Sequence, residues 1–519
     1  MSSPAQARSQ SPLPGGRLDP LRLPPALEGR RNQRVDVVGV ASVEGGEMAR
    51  YLLAAGFTQV VGHDLQGDME QLRRAHHLAH AGVGAAERGA RLEQLLDGLS
   101  TLHLGGDYLR GVEDSALVIP TQAWFMQPAN QRLHQLRAKG RPFYSLIQAY
   151  LDLAQGPVVG ITGSHGKSTT SALVAAALSR SQLFPTIWLA GNDRHNHQAL
   201  EAVARDQDGT GCLVLEISNR QLLQMDRAPT VAAITNITPN HLEEHSGMAG
   251  YVACKRRIVD LPGCRVAVRN GDDPVSLATG PLREDVPEFR FAAAESGLEH
   301  LDGSFEEDGA VWLTRQGRRE RVLAVDRLRL RGSHNLANVS AAVAICAALD
   351  QFRWEALPLL AEGLGNFGTL PHRIQLIWQE ASVDYYDDLS STTPQSTLAA
   401  LRSIGRSCVL ICGGQDKGIG FDQLAAEVGQ SVSAVVLLPG SGSEQLLEAI
   451  AARGGAAVVR RTGDLEAAVG IAREAARPGE AILLSPACPG FFSAHYKEGG
   501  FRQAVRRLST SPRRRKEPA

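Results

Sequence analysis

From Val35 onward, short β-branched runs alternate with stretches whose apolar positions recur every three or four residues, the signatures of strands and helices. The run 35–40 predicts a strand and 47–55 a helix, and a second strand ends at Asp64. Pro157-Val158-Val159-Gly160-Ile161 predicts a buried strand, which passes through a glycine-rich loop into a helix over 169–178. A third series follows Leu370-Pro371-His372-Arg373, with strands over 407–412, 434–438 and 481–484. Pro394 suits the first turn of one of its helices, where a missing N–H costs nothing. This alternation predicts an α/β chain built on mostly parallel sheets, and no repeat of solenoid length interrupts it.

The length of 519 residues exceeds what one hydrophobic core supports and suits about three domains. A formal net charge of -1 creates no global field toward nucleic acid or an anionic membrane, and neither is expected as a partner. No run of eighteen apolar residues predicts a membrane span. The seven cysteines are scattered without metal-ligand spacing and read as reduced core residues. Residues 1–30, rich in Pro, Ser, Gly and Arg and without an apolar h-region, read as a disordered leader. The basic stretch 509–519 reads as a solvated tail. No apolar surface repeat is evident, so a monomer is the default.

Gly163-Ser164-His165-Gly166-Lys167-Ser168 joins the buried strand to its helix. Glycines let the backbone wrap phosphate oxygens, and a helix N-terminus offers free N–H groups and a positive dipole end. Lys167 can neutralise β- and γ-phosphates and the Ser168 hydroxyl can ligate magnesium, although Ile161 stands where a strict P-loop has its first glycine. Hard oxygen ligands must complete such a site. Glu216 ends the strand-like Leu213-Val214-Leu215 and is presented where open α/β sheets bind ligands. A second apolar run ends in Thr235-Asn236-Ile237-Thr238-Pro239-Asn240-His241, and Lys255 follows on a helical stretch. Taken singly, Glu216 is a charged strand end and Lys255 a lysine on a helix face.

In order, these segments resemble the Mur ligases, which build the bacterial wall peptide, and most resemble the glutamate-adding branch of that family. The resemblance covers residues from about 157 to 505. It implies three domains: a Rossmann-like UDP-sugar-binding domain over 31–150, a central ATP-binding domain over 151–367 with helices on both faces of a mostly parallel sheet, and a Rossmann-like amino-acid-binding domain over 368–508. It further implies that Gly163, Ser164, His165, Gly166, Lys167, Ser168 and Thr169 hold ATP. Two magnesium ions would be held by Ser168, Glu216 and Lys255, the last carried as a carbamate that replaces a repelling cation with an anionic oxygen ligand. His241 matches the family histidine. Asn338, in Ser333-His334-Asn335-Leu336-Ala337-Asn338, matches the adenine-side contact, Arg373 an arginine that reaches the phosphates, and Asp388 an acidic residue near the nucleotide. Asn192 falls on the sugar-nucleotide contact.

Departures from the family pattern gather where substrates are chosen. Ser390 stands in place of a lysine while Thr392 remains, and Gly490 replaces a serine that grips the amino-acid carboxylate. Lys417 keeps a charge suited to a side-chain carboxylate. Asn240 replaces the aspartate of the family's Asp-His-Leu. The first block follows the family in outline, with Asp64 placed to hydrogen-bond uracil or ribose and Ile119-Pro120-Thr121-Gln122 standing for a Ser-Pro-Gly-Ile turn. The activity this implies is ATP-dependent addition of D- or L-glutamate to UDP-N-acetylmuramoyl-L-alanine through an acyl phosphate, in the cytoplasm. The alternative is an amide ligase of the same type acting on another carboxylate and amine; a non-catalytic nucleotide-binding protein would not need Lys167, Glu216, Lys255 and Arg373 together.

Overall fold

The structure is a computed structural model that describes residues 21–80, 83–192, 198–240, 242–280, 282–293, 301–330, 332–380, 382–415, 418, 420–453, 458–488 and 500–509. The predicted runs become strands wherever β-branched residues alternate between two buried faces. Four of them, β1 (Val35–Val38), β2 (Val60–Asp64), β3 (Thr101–Leu104) and β4 (Leu117–Pro120), form a parallel sheet in the order β3-β2-β1-β4. The order reverses direction at β1, so the loops after β1 and β4 open a crevice at the C-terminal edge. The helix Val43–Ala54 starts there, with the Ser42 side chain accepting from the Gly45 N–H as its N-cap.

The central sheet has nine strands: β5 (Val158–Thr162), β6 (Ile187–Gly191), β7 (Cys212–Glu216), β8 (Val231–Ile234), β9 (Val266–Asn270), β10 (Glu288–Phe291), β11 (Gly303–Glu307), β12 (Ala310–Arg315) and β13 (Arg318–Ala324). Their order is β13-β12-β11-β10-β9-β8-β5-β7-β6, parallel from β6 to β11 and antiparallel only at β11–β12 and β12–β13. All five residues of β5 are buried, so both of its faces are covered. The helix Lys167–Ser181, which follows it, is buried around most of its circumference.

The third sheet comprises β14 (Gln375–Glu380), β15 (Val383–Asp387), β16 (Cys408–Cys412), β17 (Val432–Leu437), β18 (Val458–Arg461) and β19 (Ala481–Leu484), in the order β14-β15-β19-β16-β17-β18. Only the β14–β15 pair is antiparallel. Val409 and Ile411 enter one core while Cys408, Leu410 and Cys412 enter another, as period-two alternation requires of a sheet covered on both sides. Pro394 opens the helix Pro394–Ile404, where Thr393 and Ser396 form a reciprocal capping pair.

The chain divides into two compact units, the first holding residues up to Leu328 with Asn335–Phe367 and the second Arg329–His334 with the residues from Gly368 onward. In the first unit one hydrophobic core runs from Val37, Met48 and Leu52 through Ile147 and Tyr150 of the helix Leu146–Leu153 to Leu213 and Leu215. The first and central sheets are thereby packed as neighbours. One expectation about the N-terminus is corrected: residues 21–30, read as part of a disordered leader, are packed. Leu27 is fully buried, and the Arg22 guanidinium donates to the carbonyls of Leu153, Val203 and Asp206 at 2.6, 3.0 and 3.1 Å. The composition of that stretch hides several apolar anchors, Leu27 with the partly buried Leu21, Leu23 and Ala26, and an arginine that reaches three carbonyls. All seven cysteines are buried and none is in a disulfide, and among the described residues no helix is long and apolar enough to cross a membrane.

Candidate active site

The loop after β5 takes its shape from two glycines. Gly163 has φ +150° and a methyl there would collide with the Thr235 hydroxyl; Gly166 has φ +83° and a methyl there would strike Asn338 Oδ1. Residues that follow the end of β8 hold the loop. The His165 N–H donates to Asn236 Oδ1 at 2.9 Å, while Asn236 Nδ2 and Thr235 Oγ1 donate to the His165 carbonyl at 3.0 and 2.6 Å. Ser164 Oγ donates to the Thr238 carbonyl at 2.8 Å and lies 3.1 Å from the Tyr251 hydroxyl. Lys167 Nζ folds over the loop and donates to the Gly163 and Ser164 carbonyls at 2.8 and 3.0 Å. An ammonium, a helix N-terminus and a tight glycine loop therefore share one spot, which suits an anionic phosphate. Asn338, from the helix Ser333–Ala347, accepts from Thr170 Oγ1 at 3.2 Å, so this expected adenine-side residue does adjoin the loop helix.

Lys255 is the unusual group. It lies on the helix Met248–Asp260, one turn after Tyr251, and is 1% exposed. Its Nζ donates to Thr162 Oγ1 at 3.0 Å and to the Gly163 carbonyl at 3.1 Å, 5.3 Å from the centre of the Tyr251 ring. Burial pushes the amine well below the usual lysine pKa, and the charge of Lys167 adds to that; Cys254 and Glu216 oppose it. Burial and the neighbouring ammonium thus both disfavour the charged form and shift the group toward the free amine, the form that reacts as a nucleophile.

Glu216, at the end of β7 and 2% exposed, accepts from Asn192 Nδ2 at 3.0 Å through Oε1. Its Oε2 is buried with no hydrogen-bond partner. An orphaned carboxylate oxygen beside a phosphate-type loop is a costly arrangement unless a cation completes it, so the donor set fits a divalent ion. No cluster of three His, Cys, Asp or Glu side chains occurs among the described residues, so such an ion would also draw on the buried Ser168 hydroxyl and on nucleotide oxygens.

One cavity lies against the first sheet and a second reaches this loop. The first, of about 270 Å³, lies at the crevice of the first sheet and includes Gly39, Asp64, Tyr108 and Trp124 in its lining. Asp64 accepts from the Ala41 N–H at 2.9 Å, and burial raises its pKa against the backbone N–H groups that hold it down. The second, of about 430 Å³, reaches from Glu44 and Gln122 to Gly163, Lys167, Asn192 and Arg220. Asp64 and Asn192, expected to meet substrate, each line one of them.

Arg373, Asp388 and Thr392 belong to the second unit. Asp388, 3% exposed at the C-terminal end of β15, accepts from the Ile374 N–H at 3.2 Å and from Ser485 Oγ at 2.8 Å. Burial raises its carboxyl to about 7, against hydrogen bonds from Ser391, Ser485 and Ile374 and the charge of Arg373. Because the folded value exceeds the ordinary 3.8, the bound proton favours the folded chain. That contribution is complete below about pH 4 and is lost as pH rises through 7. Asp388→Asn stays uncharged throughout, so it is expected to resist urea better than wild type at pH 8, with the gap closing below pH 5. Equal gaps in urea midpoint at both pH values would contradict this.

His241 and Lys417 lie outside the described residues. Sequence reasoning assigned no role to Glu44, Gln122, Thr162, Gln221 or Tyr251; the only signals were a polar residue after a strand end (Gln122) and a tyrosine one helical turn before a lysine (Tyr251).

Residues 161–346 match the Mur ligase middle domain and residues 372–488 the Mur ligase glutamate ligase domain. The chain is 33% identical over 92% of its length to a UDP-N-acetylmuramoylalanine–D-glutamate ligase of Symbiobacterium thermophilum, 98% of which is covered. It is 34% identical over 74% of its length to a protein of that name from a Roseiflexus species, 82% of which is covered. Among solved structures it resembles UDP-N-acetylmuramate–alanine ligase of Thermotoga maritima, with a TM-score of 0.60, 18% identity and coverage of 93% of this chain and all of the other.

Proposed function

Because this chain belongs to the Mur ligase family, we propose that it is an ATP-dependent ligase that adds D-glutamate to UDP-N-acetylmuramoyl-L-alanine. Similarity to glutamate-adding ligases along almost the whole of both chains supports the substrate pair. The same similarity disfavours a different carboxylate and amine. The observation that carries the chemistry is the grouping of Lys167, the buried Lys255 and the half-unpaired Glu216 around one glycine loop.

The chemistry follows from these groups. Nucleotide phosphates compete for Lys167 with two neutral carbonyls, and an anion wins that exchange because charge-assisted hydrogen bonds are about twice as strong. The acceptor carboxylate attacks the γ-phosphorus of ATP, forming an acyl phosphate and releasing ADP. The glutamate amine then attacks the acyl carbon, and inorganic phosphate leaves as the amide forms. Magnesium, held by Ser168, Glu216 and the Lys255 carbamate, would supply neutralisation of phosphate charge. Lowering of the Lys255 pKa by burial favours carbamylation: the free amine's nitrogen bonds to the carbon of CO2 and a proton is released. Asp64 and Asn192 are assigned to the acceptor and Asn338, Arg373 and Asp388 to the nucleotide, with Thr392 and Lys417 assigned to glutamate on the family pattern. ATP and a UDP-linked acceptor are cytoplasmic metabolites, so we assign the protein to the cytoplasm, as a monomer.

Phosphate release from ATP tests the reading. It is expected only when UDP-N-acetylmuramoyl-L-alanine and D-glutamate are both present, with L-glutamate inactive. Release with L-glutamate alone would correct the stereochemistry, and none with either enantiomer would overturn the assignment.

A further inference from the structure

Gln122 leaves the end of β4 between two residues, Thr121 and Ala123, that border both cavities. Its side chain leaves the first sheet and inserts between strand ends of the central one. Nε2 donates to Asn192 Oδ1 at 2.9 Å, and Oε1 accepts from the Ser218 hydroxyl. Asn192 Nδ2 in turn donates to Glu216 Oε1 at 3.0 Å. The backbone of Gln122 is held as well: its N–H donates to Glu44 Oε2 at 2.6 Å, and Gln221 Nε2 donates to Glu44 Oε1 at 2.6 Å. The Gln221 N–H donates to Ser218 Oγ at 3.1 Å, which closes a ring of Glu44, Gln122, Ser218 and Gln221.

The ring leaves little freedom in how the amides face. Ser218 Oγ accepts from the Gln221 N–H and gives its own proton to Gln122 Oε1, and the acceptor-only Glu216 carboxylate at the other end of this hydrogen-bond chain fixes the same sense. With that oxygen committed, Gln122 presents its NH2 to Asn192, which must answer with its carbonyl oxygen and therefore turns its own NH2 to Glu216. The Glu216 carboxylate is thereby held through Oε1, leaving buried Oε2 as the atom available to a cation.

We propose that Gln122 is a positioning residue for the ligase reaction: acting through Asn192, it orients the Glu216 carboxylate, and so ties the cavity-bordering loop of the first sheet to the cation side of the phosphate loop. This rests on the ligase reading above. Family resemblance gives no hint of it, since an apolar residue stands at this position of the Ser-Pro-Gly-Ile turn.

The test is ADP binding by calorimetry to the full chain, with and without magnesium. Gln122→Leu is expected to reduce the magnesium-dependent gain in ADP affinity by about three- to tenfold, the loss typical of one hydrogen bond. Affinity without magnesium should stay within about twofold, since the loop itself is intact. Gln122→Glu keeps the acceptor for Ser218 but sets an oxygen against Asn192 Oδ1, drawing the Asn192 NH2 away from Glu216; it should show the same defect without loss of volume, and it serves if the leucine variant does not fold. Asn192→Ala combined with Gln122→Leu should lose no more than Asn192→Ala alone. A folded Gln122 variant with the wild-type magnesium effect, or additive losses in the double variant, would overturn the proposal. A wild-type protein whose ADP affinity ignores magnesium would sink the ligase reading and this one with it, before any substitution is made.

Discussion

Lys255→Ala is expected to lower kcat by about a thousandfold, the scale on which preorganised charge-stabilising groups act in transfer reactions. The amine is 1% exposed, touches the Thr162 hydroxyl and the Gly163 carbonyl, and is depressed chiefly by burial. An amine buried in this way gives little as a cation but is ready to become a carbamate. Alanine removes three side-chain carbons and the amine nitrogen and leaves room beside the loop for a small carboxylate. Acetate or formate, titrated into the assay, should therefore restore a measurable part of kcat in Lys255→Ala and nothing in wild type. A loss below tenfold, or a complete absence of rescue together with wild-type mass for residue 255 in the intact protein, would remove the carbamate from the account.

Lys167→Met should fail differently. Its ammonium is held by the loop carbonyls of Gly163 and Ser164, over the first turn of the helix Lys167–Ser181. Removing it should weaken binding of ADP as well as lower kcat by about a thousandfold or more, because on the proposed reading the charge serves both the bound phosphates and the transferring group. Fold should be little affected, since the methylene stem is retained and the loop is held independently by Asn236 and Thr235. ADP calorimetry and kcat measured on the same preparation separate the two effects. An unchanged ADP affinity would mean that phosphate binds elsewhere.

The two variants report on parts of the site that differ in how they could be read. The strand, glycine loop and helix around Lys167 are contiguous in the chain, and their chemistry is local: left-handed glycines, free helix N–H groups and a lysine in the first turn. Glu216 was legible for a similar reason, as a carboxylate closing an apolar strand. Lys255 was legible only through the order of motifs, since a lysine on a helix carries no signal of its own. Its burial depends on Tyr251 and on the β5 end, which lie far from it in the chain or across a helical turn. The leader illustrates the opposite failure: composition said disorder for residues 1–30, whereas Leu27 and Arg22 are anchored.

Residue order by itself determined the α/β class, the phosphate loop and the polar strand ends that surround it, because each is set by periodicity or by backbone rules acting over a few residues. Only the tertiary structure decided which strand ends meet. The β7-β5-β8 adjacency sets Glu216 and Asn236 on either side of the loop, and the shared core of the first and central sheets brings Gln122 and Glu44 to Asn192, Ser218 and Gln221. Crossover connections and packing between sheets choose these neighbours, and hydrogen bonds spanning about 70 to 180 residues leave no periodic trace along the chain.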